Sequence, residues 1–212
     1  GITRPRDMCG LTIQYPGAPG PGGPAIVNTM VRADGLLTCD LASFGKHNNG
    51  FYHTDALANS DADLATLIFS NVELIEAQHR GLSPNFFSLK DWGVPDFNQL
   101  VLFSTSQRFR ELKPEFRRLV LAMRRATSFI HLHPNEAMAV YKKHVPPLNF
   151  LARKKKRLAK ATLKATLPAF PNDNTLSAEY NANLMQWLVE TNQISQASAD
   201  AAAPFWTNEI NL

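Results

Sequence analysis

The sequence predicts an α/β fold with a mostly parallel sheet and a helical C-terminal region. Strand-like runs alternate with segments of helical apolar spacing over residues 1–105. The most apolar run, residues 64–69, is continuous, which is typical of a central parallel strand buried on both faces. Everything after Ser106 has helical spacing. We therefore expect two regions, an α/β lobe over residues 1–105 and a helical region over residues 106–212.

The strands and helices are predicted in chain order. A first strand at 11–15 precedes a helix at 24–34, whose apolar residues make one stripe and whose first position suits Pro24. Asn71 is expected to cap a helix that ends at Gly81. The remaining strands are expected at 41–44, 64–69, 85–89 and 99–104. The remaining helices are expected at 51–59, 106–112, 114–132, 135–144, 148–165, 177–192 and 198–205.

Composition restricts the class of protein. The 212 residues are 44% hydrophobic, enough for a sizeable core, and they contain no apolar run of transmembrane length. The 22 basic residues exceed the 18 acidic ones only mildly, so a nucleic-acid partner is not expected. The first residues, Gly1 to Arg6, contain neither an initiator Met nor an apolar signal segment, so we expect a chain that is processed or incomplete at this end.

A loop rich in proline and glycine, Tyr15 to Pro24, lies between the first strand and the first helix. Glycine allows a backbone to approach a ligand closely, and the free N–H groups of a helix start favour a polar or anionic group. The loop lacks the Gly-Lys-Ser/Thr ending of a nucleotide P-loop and the spacing of the dinucleotide fingerprint. The alternative is a surface connection without a ligand.

Three loops are expected at the carboxyl edge of the sheet, where α/β proteins bind ligands. They are residues 15–23, 47–52 and 69–73, and together they offer aromatic rings, amides and one acid. Such a surface suits a flat polar ring, and Glu73 could accept hydrogen bonds from the amino edge of an aminopyrimidine. The alternative role for Glu73 is a first-turn acid that complements the helix dipole.

Other kinds of site have little support. The histidines are scattered among unrelated elements, so a metal site is not expected. Ser195 lacks the glycines of a nucleophile elbow, so hydrolase chemistry is not expected either. The basic run 153–157 is interpreted as a solvated helix face, with a patch for RNA or an acidic partner as the alternative.

The two cysteines, Cys9 and Cys39, each precede a strand of one βαβ unit. Parallel neighbours lie about 4.8 Å apart, which is compatible with a disulfide between them. A disulfide would indicate an oxidising compartment. Two buried thiols are the alternative.

Several segments resemble one family in the right order along nearly the whole chain. They are Gly1-Ile2, Asp7 to Gly17 with its Tyr-Pro-Gly, Asp61-Ala62-Asp63, Phe69 to Glu73, Gly93 to Phe97, Pro114 to Ala137, and Phe205 to Glu209. They resemble the second lobe of thiamine-precursor (pyrimidine) binding proteins, in the type 2 periplasmic-binding-protein superfamily. The yeast-type pyrimidine synthase of thiamine biosynthesis belongs to the same superfamily.

The resemblance implies a solute-binding protein for a thiamine-related pyrimidine, without a cofactor, that serves an ABC-transporter permease. It would lie in the periplasm or be lipid-anchored outside a bacterial cell, whereas a eukaryotic protein would be mitochondrial. The implied ligand-binding residues are Tyr15, Gly17, Asn49, Phe69, Asn71, Glu73 and Asp96.

Two alternatives to transport follow from departures from the family. The chain begins where the family's first lobe is already built, so a structural or assembly subunit without ligand is the second hypothesis. Residues 93–99 lack the cysteines of the synthase motif, so a pyrimidine-synthesising enzyme is disfavoured. The helical region is expected to pack on the missing first lobe or on a second protein chain, which would cover Leu184, Trp187, Leu188, Phe205 and Trp206.

Overall fold

The computed structural model describes residues 1–144, 153–202 and 205–210. These residues form two compact units. The first contains Gly1–Phe97 and Ala182–Ala201, and the second contains Asn98–Asn181 with the C-terminal residues. The units differ in their bounds from the ligand-binding lobe and helical region expected from sequence, and that functional division stays a prediction.

The first unit is built on a three-stranded parallel sheet. Strand β1 (Thr12–Gln14) lies between β2 (Gly45–His47) and β3 (Leu64–Ala65). Ile13 pairs with Lys46 on one side and with Leu64 on the other. The parallel sheet confirms the α/β prediction.

The predicted strand positions are wrong in several places. The strand expected at 41–44 lies at Gly45–His47, because the Asp40 side chain accepts from Ala42 N and starts a 3-10 turn over Leu41–Ser43. The run 64–69 gives only a two-residue edge strand, and β1 is central instead. Leu67 has a φ of 60°, in the left-handed region, which ends the extended backbone.

Two further expected strands are absent. Residues 85–88 and 99–104 are irregular, and a 3-10 turn begins at Leu89 and ends at Trp92. Both runs are apolar enough for strands, but neither pairs with the sheet. Within the segment Leu100–Phe103, all four side chains are exposed, with Leu100 at 82% and Phe103 at 94%.

Three helices follow the strands of the first unit. They are α1 (Gly22–Ala33), α2 (His53–Ala58) and α3 (Ile75–His79). One π-helical turn, Ser70–Leu74, precedes α3, so Asn71 lies inside this turn and is not the cap that the sequence suggested.

The core lies between the sheet and α1. Its buried residues are Met8, Ile13, Tyr15, Ile26, Val27, Met30, Val31, Cys39, Phe44, Leu64 and Val94. A disulfide joins Cys9 to Cys39 with a Cα–Cα distance of 5.9 Å, so the two-thiol alternative is wrong.

Two C-terminal helices belong wholly or mostly to the first unit, α8 (Ala178–Glu190) and α9 (Gln196–Asp200). Trp187 packs against the core and donates its indole N–H to Thr29 Oγ1 at 3.1 Å. The expectation that Trp187 needs another polypeptide to cover it is therefore wrong. Leu184, Leu188 and Trp206 are half-buried, whereas Phe205 is exposed.

The second unit is helical. Its helices are α4 (Ser106–Glu111), α5 (Lys113–Leu132), α6 (Pro134–His144) and α7 (Arg153–Thr166). The first residues of the helix expected at 148–165 lie outside the described residues. The same holds for the side chains of Arg153 to Lys155 in the basic run, while Lys156 and Arg157 are exposed. Within the described ranges, no helix is long and apolar enough to cross a membrane.

Candidate functional site

The carboxyl ends of all three strands lie at one edge of the sheet, because the strands are parallel. Backbone hydrogen bonds continue the pairing past the strands. Tyr15 N donates to His47 O at 3.2 Å, and Thr66 N donates to Gln14 O at 3.1 Å. The segments that follow β1, β2 and β3 therefore begin side by side at this edge.

The first loop is fixed from inside by Tyr15, which is 1% exposed. Its hydroxyl donates to Gly20 O, and its ring lies against the backbone of Gly23. Burial raises the pKa of the phenol, so this hydroxyl stays protonated and continues to donate. Tyr15 supports the loop but offers no free ring face. Gly17, with a φ of 88°, is exposed at the turn of the loop.

The second loop is held by the buried side chain of Gln14. Its Nε2 donates to Gly50 O at 2.9 Å, and its Oε1 accepts from Asn49 N at 2.9 Å. Asn48 Nδ2 also donates to Ala18 O at 3.0 Å, which ties the second loop to the first. Asn49 is therefore positioned by its backbone, and its side chain is half-buried.

Glu73 lies in the π-helical turn before α3 and is half-buried. Its Oε2 accepts from Phe69 N at 2.8 Å, a bond that fixes the carboxylate at the start of the turn. A carboxylate has about four lone-pair positions, so it can accept further donors. Phe69 and Asn71, on the same turn, are also half-buried.

His53, the first residue of α2, is 1% exposed, and neither ring nitrogen has a hydrogen-bond partner among the described residues. The nearby Glu73 carboxylate favours the charged ring, but burial has the larger effect and lowers the pKa of His53. The ring is therefore neutral near pH 7, with one donor and one acceptor nitrogen.

Thr66, directly after β3, is a further buried polar side chain at this edge. It is 5% exposed, and its hydroxyl has no partner in the described part of the chain. The rim carries the two exposed aromatic rings of the predicted loop 47–52, Phe51 and Tyr52. Phe51 lies edge-on to His53, with 6.3 Å between ring centroids.

Gln14, His53 and Thr66 were not predicted from the sequence, whereas the loop 47–52 that carries Phe51 and Tyr52 was. No trio of His, Cys, Asp or Glu side chains suited to a metal occurs among the described residues. The feature of the sequence that could have identified His53 is its position directly after a polar loop that follows a strand. Asp96 is exposed, and no described contact brings it to this edge.

The edge thus combines a carboxylate, a neutral imidazole and a hydroxyl, and its loops also carry aromatic rings. This set accepts and donates hydrogen bonds and provides ring faces, which is the chemistry of recognising a planar polar molecule. Both cysteines of the chain are in the disulfide, so the site has no thiol to contribute.

The chain is similar to two curated proteins. It is 28% identical over 146 residues to the formylaminopyrimidine-binding protein of Halalkalibacterium halodurans, which covers 69% of this chain and 43% of that protein. It is 28% identical over 133 residues to a putative thiamine biosynthesis protein of Haemophilus influenzae, which covers 57% of this chain and 42% of that protein. The chain thus spans less than half the length of either relative.

The family comparison covers most of the first unit and continues into α6. The model of the NMT1/THI5-like family matches residues 1–137. This range includes the whole sheet, the disulfide and the three loops of the carboxyl edge. The chain belongs to the NMT1/THI5-like family.

Proposed function

We propose that this chain recognises a thiamine-related pyrimidine and acts in a solute-binding protein that delivers it to an ABC-transporter permease. The observation that carries the proposal is the Glu73 carboxylate, fixed by Phe69 N beside buried His53 at the carboxyl edge of the sheet. The similarity to a formylaminopyrimidine-binding protein and to a putative thiamine biosynthesis protein supports this ligand class.

In the proposed complex, Glu73 accepts from the exocyclic amino group of the pyrimidine. Phe69 stacks on the ring, since Tyr15 is buried and cannot. Gly17, Asn49 and Asn71 line the same edge, whereas Asp96 would contribute only through a rearrangement of its exposed segment. A hydrogen bond to a charged group contributes about 1.5–3 kcal/mol, so Glu73 would be the main source of specificity.

The protein is proposed to bind its ligand rather than convert it. The relative from Halalkalibacterium halodurans is named for binding, and residues 93–99 hold no cysteine. The disulfide supports an oxidising compartment. In a bacterium this would be the periplasm or the outer surface of the cell, and mitochondria are the alternative in a eukaryote.

Calorimetric titration of formylaminopyrimidine into the chain tests the proposal. Glu73→Gln keeps the side-chain size and removes the charge, so we expect affinity to fall roughly ten- to a hundred-fold. The control is Asp91→Asn. Asp91 lies in the turn before Gly93, which packs on Thr29 and Ala33 of the second half of α1, away from the loop edge. Equal affinities of wild type and Glu73→Gln would remove Glu73 from the site.

A structural or assembly subunit without ligand is the second candidate. The observation that favours it is the burial of Tyr15. Of the two predicted aromatic ligand-binding residues, Tyr15 and Phe69, only Phe69 could then stack on a ligand. This candidate predicts no binding heat for wild type at any accessible concentration of formylaminopyrimidine. The same titration therefore separates the two functions.

A further inference from the structure

We propose that His53, together with the hydroxyl of Thr66, is a specificity-determining part of the same site and hydrogen-bonds the pyrimidine ring nitrogen beside the amino group. This inference rests on the proposed function and extends it. Glu73 would accept a hydrogen bond from the amino group, and His53 would donate one to the adjacent ring nitrogen.

Leaving these two buried side chains without hydrogen-bond partners costs stability. His53 and Thr66 are 1% and 5% exposed, so bulk water does not reach them. Buried polar side chains nearly always have a hydrogen-bond partner, and an unpaired one costs stability. Within the described residues, neither ring nitrogen of His53 nor Thr66 Oγ1 has one. A leucine and a valine would pack in these places without that cost.

Both side chains are attached to the carboxyl edge of the sheet through Gln14. His53 begins α2, three residues after Gly50, whose carbonyl is held by Gln14 of β1. Thr66 is bonded through its backbone to the same Gln14. Both side chains therefore belong to the carboxyl edge at which Glu73 lies close enough to act electrostatically on His53.

The hydrogen-bonding groups of Glu73 and His53 complement those of an aminopyrimidine. A carboxylate only accepts, whereas a neutral imidazole can present an N–H donor beside it. An aminopyrimidine carries the matching pair on one edge, an amino donor next to a ring-nitrogen acceptor. A site built from buried polar groups discriminates strongly against a ligand that leaves one of them unpaired.

Phe51 provides the route to His53. Its ring is 69% exposed and lies edge-on to the imidazole. Exposed side chains change rotamer within nanoseconds, so rotation of Phe51 can uncover the imidazole without unfolding α2. The ring of Phe51 can then close over the ligand.

The test is a calorimetric cycle on the full chain with two probes. One probe is formylaminopyrimidine, and the other is the corresponding aniline, which keeps the amino group and lacks the ring nitrogens. The variants are His53→Leu and Thr66→Val, with Glu73→Gln for comparison. Thermal unfolding of each variant is measured without ligand.

We expect His53→Leu to weaken pyrimidine binding roughly 3- to 10-fold, the range for one neutral hydrogen bond, and to leave aniline binding unchanged. Thr66→Val should act in the same direction. Glu73→Gln should weaken the binding of both probes. Without ligand, His53→Leu should unfold at the same temperature as wild type or a higher one, because it removes unpaired buried nitrogens.

Two results would overturn the proposal separately. If wild type and His53→Leu bind the pyrimidine with equal affinity, His53 is not part of the site, and the proposed function stays intact. No binding of formylaminopyrimidine by wild type would overturn the proposed function and this inference together. If His53→Leu does not fold, the 15N shifts of the wild-type His53 ring decide, since they must move when the pyrimidine is added.

Discussion

At the scale of single residues, Gly23 shows how the loop and the first helix are joined. A Cβ atom at this position would lie 2.5 Å from Cδ1 of Tyr15, closer than atoms can approach. Gly23 is therefore required so that the ring of Tyr15 can pack beneath the start of α1. The neighbouring Gly22 has only an ordinary contact, with Gln193 Oε1 at 3.6 Å.

These two glycines give a matched prediction. Gly23→Ala should lower the free energy of unfolding by about 1–3 kcal/mol, the usual cost of overpacking a core. Gly22→Ala should change it little or raise it slightly, because alanine favours the helix. Urea unfolding of both variants measures the difference. Equal stabilities would show that Tyr15 is not packed as described.

The sequence predicted the loops of the candidate site but not the direction of every side chain in them. Chain order and the parallel sheet placed Tyr15, Asn49 and the segment after β3 at one edge. The burial of Tyr15 depends on the return of the loop over its ring, which local spacing does not encode. His53 and Thr66 were missed because single polar residues in short elements carry no periodic signal.

At the scale of elements, the sheet is shorter than the apolar runs suggested. The run 64–69 has strand-like composition, but Leu67 adopts a left-handed conformation and only Leu64–Ala65 pairs. Composition reports burial more reliably than backbone conformation. The run 99–104 is apolar yet exposed, so its composition did not even predict burial.

The disulfide adds stability to a unit whose sheet is small. It links Cys9, just before β1, to Cys39, across a sequence separation of 30 residues. Closing a loop of this length lowers the entropy of the unfolded chain, which stabilises the folded state by roughly 3–4 kcal/mol.

We therefore expect a reducing agent to lower the urea midpoint of the wild type clearly. The double variant Cys9→Ala with Cys39→Ala should start at the lower midpoint and should not respond to the reducing agent. A wild-type midpoint that is equal with and without reducing agent, after complete reduction is verified by thiol titration, would contradict a stabilising role.

At the scale of the whole molecule, the four consecutive exposed apolar side chains of Leu100–Phe103 are the unusual surface feature. Monomeric proteins rarely expose contiguous apolar patches, and an extended apolar segment can pair with another chain. We expect another polypeptide to contact this segment, while exposed Phe205 stays a predicted contact from the C-terminal set.

We expect the purified chain to self-associate at tens of micromolar in sedimentation experiments. Leu100→Lys combined with Phe103→Lys should make it monomeric. The control is Leu37→Lys, at an isolated exposed leucine of the first unit, which should leave association unchanged. A wild type that sediments as a monomer would contradict the prediction, because the segment would then stay exposed to solvent without a partner.

The most direct test of the account is a crystal structure of the chain with formylaminopyrimidine. The account predicts the pyrimidine at the carboxyl edge of the sheet, with its amino group on Glu73 and its ring against Phe69. A ligand bound elsewhere, such as the apolar groove of α5 lined by Leu121, Phe129 and Leu132, would contradict it. So would an amino edge turned away from Glu73.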